Sequence, residues 1–309
     1  MRIAVIGTGG VGGYFGARLA QAGCEVHFAA RGGHAAAIRE RGLSVRSPLG
    51  DVHVHPARLL EPGAGPFDVV LVAVKLYDLG EAARGLAPWV GQQTAVVTLQ
   101  NGVEATQVVA RFVPPAQVFP GVAAISSWIA APGVIEHGNR LARIRFGAPD
   151  GRPVPQLAGL EEAFRRVGVD GAVDPDITAA LWRKFVFLAP FSAVTAAARA
   201  RIGAVRADPR LWADFRAMVG EALALARARG VDLGPEALER VLAFTAELPA
   251  DMPSSMLVDL ERGRRLEVDG LVGAVVRLAR EAGIEVPVSA RYHARLAPFA
   301  AGAPAGAGG

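Results

Sequence analysis

Apolar positions keep one rhythm up to about residue 174 and another beyond it. In the first stretch, short runs with the length and β-branching of buried strands recur at Arg2–Ile6, Glu25–Ala29, Phe67–Val74 and Thr94–Leu99. Between the first two, Val11, Phe15 and Leu19 fall at helical spacing and Gly23 closes the segment. Leu43–Ser47 and Asp51–His55 alternate around Pro48-Leu49-Gly50, which predicts a hairpin. Gln117–Ala124, Val134–His137 and Arg143–Phe146 extend the sheet, followed by an amphipathic helix over Gln156–Val167 and a last strand at Val169–Val173. At Asp174-Pro175-Asp176 the rhythm changes. The proline breaks, Asp176 can cap, and from Ile177 every period is helical: 177–201, 209–229, 235–247, 254–262, 268–282 and 288–299. The pattern therefore predicts an α/β domain over 1–174 and an all-helical domain over 175–299. A disordered tail, AAGAPAGAGG, follows at 300–309.

The first strand runs straight into Gly7-Thr8-Gly9-Gly10-Val11-Gly12 and then into the first helix. Strand, GxGxxG and helix in immediate succession form the context in which this spacing binds a dinucleotide. Gly7 permits the tight turn, Gly9 lets backbone approach a pyrophosphate, and Gly12 and Gly16 let the helix lie close on the strand. The N–H groups of Gly10, Val11 and Gly12 open the helix and offer the phosphates unpaired donors and a partial positive charge. At the end of the second strand, where an acid would bind a ribose 2′-hydroxyl, the chain carries Ala30-Arg31-Gly32-Gly33. An arginine there pairs with a 2′-phosphate and favours NADP over NAD.

Composition narrows the function. The chain of 309 residues is 51% hydrophobic and 20% charged, the profile of folded globular domains. Cys24 is the single cysteine, which excludes an intrachain disulfide and fits a reducing cytoplasm. Met1 directly precedes the first strand, so no signal peptide is expected. The longest apolar stretch, Phe185–Ala198, holds Pro190, Ser192 and Thr195 and is too short to span a bilayer. The net charge is only +4 and no basic block interleaved with aromatics is present, which argues against nucleic acid. His53 and His55 share one side of a strand but have no third ligand nearby in sequence, so no metal is expected. Mean hydropathy of +0.30 is compatible with a homodimer, though the sequence does not fix the oligomeric state.

Of 33 lysines and arginines only Lys75 and Lys184 are lysine. Arginine cannot release its proton at ordinary pH and lysine can, so a lysine in an arginine-rich chain marks candidate proton chemistry. Lys75 follows the strand Phe67–Val74 at its carboxyl end, the edge where open α/β sheets bind ligands. Lys184 shares a helix face with Leu181, Phe187 and Leu188, and desolvation there lowers its pKa and makes it a better donor near neutrality. Asn101 ends the strand Thr94–Leu99 within Gln100-Asn101-Gly102, where a turn or a helix cap is an alternative role.

The motifs GTGGVG, VAVKLYD, LQNGVE, LWRKF, SSMLVDLERG and LEVDGLVG occur in that order over roughly residues 1–295, and together they resemble the ketopantoate reductase family. The resemblance implies an N-terminal Rossmann dinucleotide-binding domain followed by an all-helical C-terminal domain. It implies NADPH-dependent reduction of a 2-oxo acid, 2-dehydropantoate or a related substrate, to the 2-hydroxy acid, as in pantothenate biosynthesis. It maps the catalytic lysine onto Lys184 and the orienting glutamate onto Glu267. Lys75 and Asn101 match residues on the cofactor and substrate sides, and Ser255 matches a substrate-binding serine, although Ser254-Ser255 also reads as a helix cap. Two positions depart from the pattern. The family's ketopantoate enzymes carry asparagines four and eight residues after the lysine, where this chain has Leu188 and Ser192. Ser192 is retained as a substrate-side candidate, while Leu188 in place of an amide predicts a more apolar or differently shaped 2-oxo acid. Two other classes stay open: a non-catalytic NADP-binding regulator, and a β-hydroxyacid dehydrogenase or imine reductase of the same architecture.

Overall fold

The computed structural model describes residues 1–302, so 303–309 of the expected tail lie outside the described residues. The chain divides into two compact units, Met1–Gln100 with Glu104–Ala180, and Asn101–Val103 with the chain from Leu181 onward.

The first unit carries β1 (Arg2–Ile6), α1 (Gly10–Gln21), β2 (Glu25–Ala29), α2 (Gly32–Arg41), β3 (Leu43–Arg46), β4 (Val52–Val54), β5 (Arg58–Leu59) and β6 (Phe67–Val72). It continues through α3 (Leu76–Arg84), β7 (Val90–Thr98), α4 (Ala105–Val109), β8 (Val118–Ala131), β9 (Val134–Phe146), α5 (Pro155–Arg166) and β10 (Asp170–Val173). The strands form one mixed ten-stranded sheet in the order β4-β3-β9-β8-β7-β6-β1-β2-β5, with β10 beside β9. From β8 through β5 all neighbours are parallel. Alternation explains why these strands are apolar at nearly every position. Ile3 and Val5 of β1, Val69 and Leu71 of β6, and Ala95 and Val97 of β7 enter the core that contains Phe15 and Leu19 of α1. Their neighbours Ala4, Ile6, Val70, Val72 and Val96 enter a second core with Leu79, Ala83 and Val109. Strands buried on both faces need no polar alternation.

Where three strand pieces are expected between 117 and 146, the structure has two long strands, β8 and β9, paired antiparallel from Gly121↔Phe146 to Ala131↔Val134. Gly138-Asn139-Arg140 looks like turn chemistry, and the exposed Trp128 and Ile129 break any in–out alternation. Cross-strand pairing with irregularities at Ile125/Ser127 and Ile129/Ala131 carries both strands through.

The second unit is helical: α6 (Ile177–Ala198), which begins in the first unit, then α7 (Ile202–Ala207), α8 (Pro209–Ala228), α9 (Ala237–Glu247), α10 (Ser255–Glu261), α11 (Val272–Glu281) and α12 (Pro287–Leu296). α6 starts where Asp176 Oδ1 accepts the Ala179 N–H at 3.1 Å and continues through Pro190. It stops short of the expected residue 201 because Arg199 takes a φ of 50°. The chain then enters α7, held by Gly203 N–H donating to the Ala250 carbonyl at 2.9 Å. Among the described residues α6 is the one helix long and apolar enough, by length and composition, to cross a membrane. With 61% of its apolar window buried it packs as a core helix. At the chain end, the Ala300 carbonyl accepts the Leu266 N–H at 3.0 Å, so 300–302 are folded onto the loop before α11.

Candidate functional site

In the first unit, β1 turns at Gly7, whose φ of +100° only glycine adopts readily and whose missing Cβ would stand 2.7 Å from the Val74 nitrogen. Thr8 then fixes the turn to β2, its N–H and hydroxyl both donating to the Ala29 carbonyl at 3.0 and 2.9 Å. Gly9 stands at the N-cap of α1 with no side chain capping the helix, and a Cβ at Gly9 would meet nothing within 4 Å. The start of α1 is thus uncapped and open at Gly9, which fits a phosphate-bearing group against the N–H groups of the first turn, Gly10, Val11 and Gly12. Gly12 also meets the packing expectation, since its Cβ would lie 3.0 Å from Ala73 Cβ. Gly10 adds a contact not legible in the motif: β8 passes so close that a Cβ there would lie 2.2 Å from the Ser127 carbonyl oxygen.

The other cofactor-side candidates of this unit stand at the carboxyl ends of β2 and β6. Arg31 occupies the N-cap position of α2, largely exposed, with Nη2 3.2 Å from Glu81 Oε1. A 2′-phosphate would therefore compete with a carboxylate for this guanidinium. Lys75 is partly buried at the N-cap position of α3. Behind it, buried Gln100 donates through Nε2 to the carbonyls of Val72 and Val74 at 2.9 and 3.0 Å, tying the end of β7 to the loop that carries Lys75. His34 of α2 donates from Nε2 to the Thr8 carbonyl and accepts the Gly133 N–H at Nδ1, both at 2.9 Å. That pairing requires neutral imidazole, and burial pushes the His34 pKa down.

In the second unit, Lys184 on α6 donates from Nζ to Asn101 Oδ1 at 2.8 Å. Gly102, with φ +97°, makes the turn that presents Asn101, so the turn role and the side-chain role coexist. Lys184 is part-buried as a residue, but desolvation of its ammonium is the largest influence and lowers its pKa from 10.5 to about 8. The charge of buried Glu267 opposes this fall. α11 starts at Val272, later than the helix expected from 268, and buried Glu267 precedes the turn that leads into it, its carbonyl accepting the Leu271 N–H at 3.1 Å. Lysine, asparagine and glutamate, far apart in sequence, thus form one polar group on the helical unit.

The serines divide. Ser254 is the buried cap of α10, accepting the Leu257 N–H at 3.0 Å, with its hydroxyl 2.7 Å from that of Thr195. Ser255, the substrate-side candidate, is exposed at the first position of that helix. Ser192 is fully enclosed and its hydroxyl has no hydrogen-bond partner, so it offers no surface to a substrate in this structure. Leu188 is partly buried against the helical core. His53 and His55 stack, their ring centroids 5.8 Å apart, and the described residues contain no group of three His, Cys, Asp or Glu placed to hold a metal.

Two family models match the chain in succession, "Ketopantoate reductase PanE/ApbA" over residues 3–151 and "Ketopantoate reductase PanE/ApbA C terminal" over 176–298. The 2-dehydropantoate 2-reductase of Halobacterium salinarum is 34% identical, over 93% of this chain and 95% of the relative. An uncharacterised oxidoreductase of Bacillus subtilis, YkpB, is 29% identical over 97% of this chain and 99% of its own length. Among solved structures, a PanE/ApbA family ketopantoate reductase from Ralstonia eutropha JMP134 superposes with a TM-score of 0.88 at 30% identity, covering 97% of this chain and 98% of that one.

Proposed function

The chain belongs to the ketopantoate reductase family, and on that premise we propose that it is a cytoplasmic NADPH-dependent reductase converting a 2-oxo acid, 2-dehydropantoate or a relative, to its 2-hydroxy acid. The observation that carries the reading is a lysine with its pKa brought to about 8, hydrogen-bonded to Asn101 and under the charge of Glu267. When bound, the nicotinamide supplies the hydride. The turn at Gly7 and Gly9 and the N–H groups of Gly10, Val11 and Gly12 would hold the cofactor's pyrophosphate. Arg31 would exchange Glu81 for the 2′-phosphate, and Lys75 and Asn101 are the further residues that would hold the cofactor.

As a C–H bond forms at C2 of the oxo acid, the carbonyl π pair moves to oxygen. The Lys184 ammonium stabilises that growing charge and passes one Nζ proton to it, leaving a neutral amine. A donor with a pKa near 8 does this at lower cost than an ordinary lysine and is still mostly protonated at pH 7. Asn101 Oδ1 fixes the direction of the Nζ–H bonds, Glu267 keeps the amine protonated before turnover, and exposed Ser255 contacts the substrate.

The test is oxidation of NADPH and of NADH by the purified protein with a panel of 2-oxo acids and with imines, the product being identified. Turnover with oxo acids, a 2-hydroxy acid product and a preference for NADPH are expected. Arg31→Ala should remove most of that preference, about ten- to a hundred-fold, because a charge-assisted contact is lost. Tight binding of nucleotide without turnover of any oxo acid would contradict the reading in favour of a regulator.

A further inference from the structure

Beside the lysine the helical unit carries aromatic rings that proton transfer does not use. With about 100° between successive helix residues, Leu188, Phe191 and Phe187 all fall within roughly 60° of Lys184 on α6. Phe187 stacks on Phe191 with ring centroids 5.0 Å apart at 20°. Phe244 of α9 meets Phe187 edge-on, at 5.1 Å and 84°. Phe191 is buried, Phe187 and Leu188 are partly buried, and Phe244 is 51% exposed, the most open large apolar side chain among the described residues.

A ring held by other rings and left half in water is poised to bury further apolar surface. The polar groups that could instead receive a substrate hydroxyl along this helix are withdrawn. Ser192 is enclosed, and Thr195 spends its hydroxyl on Ser254 and on the Phe191 carbonyl. Leucine at 188 offers no hydrogen bond at all.

Resting on the reductase reading, we propose that Phe187 and Phe244, with Leu188, form the wall that receives the substrate's side chain, and that the substrate is a 2-oxo acid with a branched aliphatic or aromatic chain lacking a distal hydroxyl. Phe187 and Leu188 stand one helical turn from Lys184 on α6, so a substrate whose carbonyl sits at Lys184 Nζ would find this wall beside its chain. An apolar group there shields both rings from water, whereas a hydroxyl there loses its own water without a partner.

The test compares pyruvate, 2-oxo-3-methylbutanoate, 2-oxo-4-methylpentanoate, phenylglyoxylate and 2-dehydropantoate in the unmutated protein and in Phe244→Ala, whose exposed site makes misfolding a minor concern. The kcat/KM should rise with apolar chain size and fall for 2-dehydropantoate relative to its deoxy analogue 2-oxo-3,3-dimethylbutanoate. Phe244→Ala should cost the bulky substrates about tenfold or more and pyruvate several-fold less than that, while Phe244→Leu restores part of the loss. A flat chain preference, or equal losses for pyruvate and the bulky acids, would overturn the wall while leaving the reductase intact. Calorimetry with oxamate and N-isobutyloxamate on the NADP-loaded protein reads the wall without turnover. Preference for the isobutyl compound, lost in Phe244→Ala, supports it even if no oxo acid is reduced, and equal binding of the two overturns it.

Discussion

At the scale of single residues, Lys184 is held where its charge is unfavourable. Its folded pKa, about 8, lies below the 10.5 of free lysine. Between those values the unfolded chain binds the extra proton, so this group makes stability rise with pH there, and at neutral pH the buried ammonium costs stability. On the proposed mechanism catalysis runs the other way, because a lysine donor must be charged. The kcat/KM is expected to decline as pH rises through about 8. Glu267→Gln removes the charge that raises the lysine pKa, so the declining limb should move to lower pH. A limb that stays in place in Glu267→Gln would disconnect the two residues. Lys184 itself was legible in the sequence because lysine is so rare in this chain. Its partner was not. Asn101 lies 83 positions away and Arg31 meets Glu81 across 50, and no local pattern encodes such pairings.

At the scale of elements, the glycine-rich turn separates two jobs that the motif merges. Gly10→Ala drives a Cβ into the backbone of β8 at Ser127, where nothing flexible can yield. It should destabilise the protein by about 1–3 kcal/mol, read as a lowered denaturant midpoint. Gly9→Ala meets no atom within 4 Å, so it should leave the midpoint unchanged and weaken NADPH binding instead. Equal midpoints for Gly10→Ala and the unmutated protein would contradict the close approach of β8. Strands β1, β6 and β7 were legible because burial on both faces leaves continuous apolar runs. The long hairpin of β8 and β9 was not, because Trp128, Ile129 and Leu141 stay exposed and Gly138 imitates a turn. Likewise α6 was expected to run on to residue 201, and the short α7 was not foreseen. Their separation depends on one residue, Arg199, in a left-handed conformation, and on the seating of Gly203 against Ala250.

At the scale of the whole molecule, a mixed sheet is followed by helices, as the change of period led one to expect, and two models of one family match the chain in succession. The sequence carried that division because sheet and helix bury apolar groups at different periods. It could not carry the proposed aromatic wall, since Phe187 and Phe244 are indistinguishable from core residues until exposure is known. The account stands on Lys184 delivering a proton that arginine would keep. Turnover of the intact Lys184→Arg protein, measured beside its NADPH affinity, tests this directly. Turnover should fall by about 10²–10⁴ with NADPH affinity nearly unchanged, whereas full turnover in Lys184→Arg would reduce the lysine to a packing residue and contradict the mechanism.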